Sequence, residues 1–305
     1  MTQDRVLAGV VLMLGFCVTG PLIDVFSKLA AQTLPVGEVT GARFVVQAAL
    51  MLPLCILGGH GLRMGPGVLG RLTLRAVFLI ASTYCFVAAI SVMPLADALA
   101  IVFVEPFLIL LLGWALFGDA VGPRRIGACV VGFGGALLVI QPSLDTFGPV
   151  ALFPLGTALF FALYMLVTRA LRGMHPVPMQ YHTALIGTLI CAPVIAAAHF
   201  TQWPTLAPAT PQGIAWIWLG GVGVASAVAH MLVTYALRFA PSATLAPLHY
   251  LEIVSAATLG YLVFGNFPGP LTWTGIGVIT ASGLYIIQRE RRGIVRDLVA
   301  GPTAD

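Results

Sequence analysis

From Val6 to Gln288 the chain is a succession of apolar stretches, parted by links of only a few polar, proline or glycine residues. A helix that crosses a bilayer needs about 20 mostly apolar residues. Cutting at the polar punctuation gives ten such stretches, at 6–30, 36–58, 70–93, 95–117, 123–140, 149–172, 177–199, 212–238, 242–264 and 270–288. Composition agrees with this reading. Hydrophobic residues make up 59% of the 305 and charged residues 9%, against about 45–50% and about 25% in soluble domains. A soluble chain of this size hides at most roughly three quarters of its surface, so the remaining apolar exterior must face lipid.

The first run follows Arg5 as a signal peptide would, but it is longer and lacks a small-residue cleavage site, so it reads as a retained span. Turn chemistry at Gly58-Gly59, Gly65-Pro66, Gly118-Asp119, Gly122-Pro123 and Gly265-Asn266 marks helix ends. The short links leave no room for a fused ATPase, and no phosphate-binding loop pattern occurs.

The net charge of +4 comes from basic residues scattered singly or in pairs at span ends, which is a topology pattern and not a nucleic-acid patch. With the N-terminus cytoplasmic, all 15 Lys and Arg except Lys28 and Arg43 fall on the inner side. Both termini are therefore expected in the cytoplasm. The five cysteines lie inside apolar runs without CxxC spacing and read as small packing residues. No disulfide, metal or cofactor is expected.

The sequence repeats itself. An offset of 147 residues sets Glu105 over Glu252, Pro94 over Pro241, Phe117-Gly118 over Phe264-Gly265, and Gly122-Pro123 over Gly269-Pro270 without a gap. A shorter offset of 141 sets Gly15 over Gly156, Lys28 over Arg169 and Pro35 over Pro176. Five spans per unit is an odd number, so the second unit must enter the membrane upside down. The expected fold is an all-α polytopic membrane protein of ten transmembrane helices in two inverted five-helix repeats. Such repeats place a substrate near the midplane and exchange conformations by rocking.

This arrangement resembles the drug/metabolite transporter superfamily, and specifically its EamA-type branch. The resemblance rests above all on Met93 to Pro142, MPLADALAIVFVEPFLILLLGWALFGDAVGPRRIGACVVGFGGALLVIQP, with a divergent copy in APSATLAPLHYLEIVSAATLGYLVFGNFPGPLTWTGIGVITASGLYIIQ. It implies EamA-like repeats at 1–142 and 149–289 with a basic cytoplasmic tail at 290–305, in a bacterial inner membrane. It also implies a secondary carrier with a central cavity, a short last span in each half, and a homodimer as one possible assembly. The acidic residue usual after the fourth span is Asp119 in the first half but Asn266 in the second.

Glu105 and Glu252 are the sharpest candidates for function, because an ionisable group in mid-span is costly unless paired or wet. They are either hydrogen-bonded packing carboxyls or groups that bind a cation or exchange a proton. Pro106 removes a backbone donor at the same depth, and His249 precedes Glu252 by three residues on one helix face. Asp24 and Lys28, four apart, suit an ion pair. With Glu38 and Arg43 they suit an outer charge network, and Arg169 suits either a matching inner gate or an interfacial anchor. Asp97 suits a helix cap. Among the aromatics Tyr84, Phe103, Trp114, Phe160, Tyr164, Tyr235 and Tyr250, the hydroxyls of Tyr84, Tyr164 and Tyr250 favour a cavity.

The expected function is alternating-access transport of a small organic metabolite, an amino acid or amino-acid derivative first. A riboflavin-like vitamin or a nucleoside-like solute is the alternative. No catalytic cluster suggests an enzyme, and inverted repeats with paired interior charges suit a gated carrier better than a channel.

Overall fold

A computed structural model describes residues 3–61, 64–93, 95–118, 122–140, 148–201, 203, 205–265, and residues 270, 273–275, 277, 278, 280–282, 285 and 288. The order is α1 (Gln3–Ala31), α2 (Val36–Leu57), α3 (Pro66–Val92), α4 (Leu95–Val102), α5 (Glu105–Phe117) and α6 (Pro123–Ile140). A 3₁₀ turn (Gly148–Ala151) leads into α7 (Leu152–Ala170), α8 (Pro176–Thr201), α9 (Ala215–Phe239), α10 (Ser242–Leu245), a 3₁₀ segment (Ala246–Leu251) and α11 (Glu252–Phe264). No strand occurs among the described residues. Seven stretches among them are long and apolar enough to cross a membrane, from Arg5–Ala31 to Ala246–Phe264. Asp119, Asn266 and the tail 290–305 lie outside the described residues, as do the side chain of Asp97 and much of 270–288.

Prolines open α3, α6 and α8, where the missing N–H costs no hydrogen bond. α5 and α11 end alike. Gly118 and Gly265 take the left-handed conformation, with φ of 65° and 72°, and donate their N–H groups to Trp114 and Tyr261 at 3.0 and 2.9 Å. Glycine adopts that conformation without a Cβ clash, which closes both helices.

The stretches 95–117 and 242–264, expected as single spans, are both broken. Pro106 cannot donate to the carbonyl four residues back. Phe103 and Val104 therefore form a turn between α4 and α5, where Val104 bonds Ile101 at 3.2 Å. In the second copy Pro247 lies in the 3₁₀ segment that parts α10 from α11. Each break leaves a glutamate, Glu105 or Glu252, as the first residue of the next helix. An anion there complements the helix dipole.

The principal pairings are α1 with α9, α3 with α7, and α2 with α8, each joining the first half to the second. Small residues bring α1 and α9 close: a Cβ added at Gly9 would lie 2.7 Å from the Ala240 Cβ. Such contacts supply dispersion where lipid offers no hydrophobic drive between helices. Leu57, Leu189, Phe200 and Trp216 are among the large apolar side chains left on the outer surface. The breaks and the paired helices enclose one central cavity.

Candidate functional site

The cavity has a volume of about 100 Å³. Helix α1 supplies Phe16, Gly20, Ile23, Asp24 and Ser27, α2 supplies Arg43, and α3 supplies Ser82, Thr83, Phe86 and Val87. Leu99, Val102, Phe103 and Glu105 come from the first break, Thr157 and Phe161 from α7, His230 from α9, and His249 and Glu252 from the second break. Both halves of the chain thus build it.

His249 sits between the two mid-span carboxylates. Its Nδ1 lies 3.2 Å from Glu105 Oε1 and its Nε2 lies 3.4 Å from Glu252 Oε2. These are ion-pair distances off hydrogen-bond alignment, and Glu105 Oε1 and His249 Nε2 have no hydrogen-bond partner. The imidazole is stacked on Phe16 (centroids 5.2 Å) and Phe161 (6.0 Å). Gly20 makes room for the Glu252 carboxylate, since a Cβ there would lie 2.5 Å from Oε1.

A basic wall faces the same space. Arg43 is 4% exposed. Its Nη1 donates to Thr83 Oγ1 and its Nη2 donates to His230 Nε2 at 2.8 Å. Because Nε2 accepts, the His230 proton sits on Nδ1, which donates to the Ser226 carbonyl at 3.0 Å. Arg43 Nε is buried with no partner. Buried donors of this kind are costly and mark a place where a ligand can repay the cost.

The outer charge network divides. Asp24 and Arg43 line the cavity together. Lys28 donates to the Met93 carbonyl at 3.4 Å, and no Lys28–Asp24 ion pair is found among the described residues. Glu38 accepts from the Ala209 backbone at 3.0 Å, in the link between α8 and α9. Arg169 donates to Ser242 Oγ at 2.8 Å and lies over the Phe117 ring at 4.5 Å.

The tyrosines are dispersed. Tyr84 reaches Thr205 Oγ1 at 3.4 Å, away from the cavity lining. Tyr164 is buried one layer below the cavity and accepts from Arg75 at 2.7 Å. Tyr250 is 1% exposed, packs on Phe103 and has an unpartnered hydroxyl. Trp114, grouped above with possible cavity rings, is 58% exposed on the outer side of α5.

Arg75 was hidden by the charge count, which placed it at an inner span end. It is fully buried. Its Nε donates to Thr168 (2.7 Å), its Nη1 to Gln180 (3.3 Å) and Thr183 (2.5 Å), and its Nη2 to Tyr164 (2.7 Å), Gln180 (3.3 Å) and Thr234 (3.2 Å). A signal was present, because Arg75, Ser82 and Thr83 are seven and eight residues apart on one helix face.

The family model described as the EamA-like transporter family matches this chain twice, over residues 7–141 and 148–288. A riboflavin transporter of Rhizobium johnstonii is 30% identical over 72% of this chain and 70% of its own length. An S-adenosylmethionine uptake transporter of Rickettsia bellii is 24% identical over 90% and 91%. A pseudopaline exporter of Pseudomonas aeruginosa is 26% identical over 96% and 100%. A solved crystal structure superposes with a TM-score of 0.76 over 96% of this chain and 99% of its own, at 17% identity. That likeness shows the fold.

Proposed function

This chain belongs to the EamA-like transporter family, a multi-pass membrane transporter of small molecules, and from that premise we propose that it carries an amphoteric amino-acid derivative across the bacterial inner membrane by alternating access. The supporting observation is the pairing of charges in one cavity. Arg43, with an unpartnered Nε, faces the same space as Glu105, His249 and Glu252. A carboxylate suits the guanidinium, and a cationic centre suits the carboxylate pair. Phe16 and Phe161, stacked at 6.2 Å, add aromatic faces that favour a flat ring in the same solute.

Inversion of the two halves is part of this reading. The pairings of α1 with α9 and of α3 with α7 are exchanged with each other when one repeat is laid on the other. Both broken spans carry a glutamate at the break, at the same offset. A cavity of about 100 Å³ is small beside the roughly 300–1,000 Å³ of ligand pockets, so loading requires the walls to part. The basic residues gathered at one set of span ends support cytoplasmic termini.

A second reading, a riboflavin-like cargo, draws on the aromatic faces and on the name of the Rhizobium relative. Counterflow in proteoliposomes separates the two. S-adenosylmethionine or an amino acid is expected to exchange saturably, with Glu252→Gln and Arg43→Gln each reducing exchange. Riboflavin exchange untouched by either substitution would select the second reading. Unitary currents without saturable exchange would overturn carriage itself.

A further inference from the structure

Arg75 holds a formal positive charge in the interior, and among the described residues no carboxylate is bonded to it. Its five N–H groups are shared among neutral oxygens of Tyr164 and Thr168 on α7, Gln180 and Thr183 on α8, and Thr234 on α9. The guanidinium also lies 4.5 Å over the Tyr164 ring. Such a shell solvates the charge without neutralising it. A buried cation usually has a counter-charge, because desolvation is otherwise poorly repaid.

The shell is uneven. Thr168, Thr183 and Tyr164 approach at 2.5 to 2.7 Å, whereas the Gln180 oxygen spans both Nη atoms at 3.3 Å each. That fork is where a carboxylate presents its two oxygens to an arginine. The same oxygen also accepts from Gln47 Nε2 at 3.4 Å, while the Gln180 amide nitrogen donates to Thr234 Oγ1 at 3.1 Å. A neutral oxygen whose three bonds are all 3.3 to 3.4 Å long is a placeholder that an anion can displace.

The node lies below the cavity. Arg75 is in the first half of α3, Tyr164 and Thr168 are in the last two turns of α7, and Gln180 and Thr183 are in the first turns of α8. All point to the end of the bundle where α1 begins. Tyr164 links the two levels, with its ring 5.5 Å from that of His230 on the cavity wall.

We infer that Arg75 is the centre of a second anion site, closed in this state, that takes a carboxylate or similar oxyanion once the end nearest the N-terminus opens. The inference rests on the alternating-access reading. Arg43 receives the anionic group in the cavity, and Arg75 receives it on the way out or in at that end. While closed, the node ties α3, α7, α8 and α9 together, and its charge repels cations that would leak along the same path.

The test needs no identified cargo. Thr183→Cys, in the full chain with its five native cysteines replaced by alanine, places a thiol beside the guanidinium. Vesicles of each orientation are treated with sulfonatoethyl or trimethylammonioethyl methanethiosulfonate, both membrane-impermeant. Each rate is divided by that reagent's rate with a free thiol in water. The expected result is reaction from the N-terminal side only, with the anionic reagent favoured at least about tenfold. Adding Arg75→Gln brings the ratio near one, and Arg75→Lys retains most of it. Thr234→Cys is the second probe should Thr183→Cys fail to insert. Reaction without charge preference, or a preference that survives Arg75→Gln, would overturn the anion site and leave carriage standing. Absence of reaction from the N-terminal side under any condition would count against both.

Discussion

Around Arg75 every guanidinium nitrogen meets a neutral oxygen within hydrogen-bonding distance, whereas around His249 two carboxylates stand at 3.2 and 3.4 Å from an imidazole and leave polar atoms without an aligned partner. Both clusters are buried charge in an apolar bundle, built by residues of both halves. Around Arg75 the bonds hold helices together at one end. Around His249 the frustrated contacts face open space and await something better. Satisfied polar groups rigidify and unsatisfied ones invite a ligand, so on the proposed mechanism the contrast is between a node closed in this state and a cargo surface open in it.

The largest effect expected from breaking this contrast is on stability at the satisfied cluster. Arg75→Ala removes the common donor of four helices and should cost about 3 kcal/mol, read as a lowered Tm of the protein in detergent. A Tm unchanged from the parent would show that the node does not close anything. At the frustrated cluster the effect should fall on transport. Glu252→Gln, whose contact with His249 is misaligned, should lower saturable exchange about thirtyfold, equivalent to about 2 kcal/mol, with little change in Tm. The reverse pattern, lost Tm and intact exchange, would make Glu252 a packing carboxyl.

A smaller perturbation sharpens the same point. Gly20→Ala would bring a methyl group 2.5 Å from Glu252 Oε1, but that oxygen ends a flexible side chain and can yield. Cargo affinity should drop about threefold to fivefold, less than about 1 kcal/mol, and the fold should be retained. Binding isotherms of Gly20→Ala and the parent decide this.

The smallest effect is at the bundle end beyond Arg75. His60 and His175, in the links before α3 and α8, meet at a tilt of 31° with centroids 4.0 Å apart. Burial, and then the neighbouring His60 and Arg238, hold the His175 imidazole below its ordinary value of 6.5. A depressed imidazole favours the fold while neutral. Its contribution is complete above pH 6.5 and declines as pH falls through that value toward the folded one. Tm should therefore fall slightly more steeply with acid in the parent than in His175→Gln. Parallel Tm profiles would remove this contact from the account.

Much of the architecture was legible because lipid imposes a simple rule, namely apolar length at every span. The paired Glu105 and Glu252 were legible for the same reason, as costly groups at matched depth. Pro106 was read as a missing backbone donor within one span and not as a break, and Pro247 was passed over because its segment is as apolar as a continuous span. Arg75 was concealed by its position near a span end, where a basic residue ordinarily marks topology. Only its shared face with Ser82 and Thr83 hinted at burial, and its partners come from helices about 90 to 160 residues away in sequence. Lys28 went to a backbone carbonyl and not to Asp24, because Asp24 turns into the cavity that Arg43 also enters. Helical spacing shows which residues can meet, not which partner wins.

In the proposed mechanism Arg43 reads a carboxylate while the glutamates read a cation in the same solute. The most direct measurement is competition by S-adenosylmethionine and by its carboxyl methyl ester against exchange, in the parent and in Arg43→Gln. Esterification is expected to weaken competition at least about tenfold in the parent and to add nothing further in Arg43→Gln. An equal loss in both proteins would contradict that mechanism.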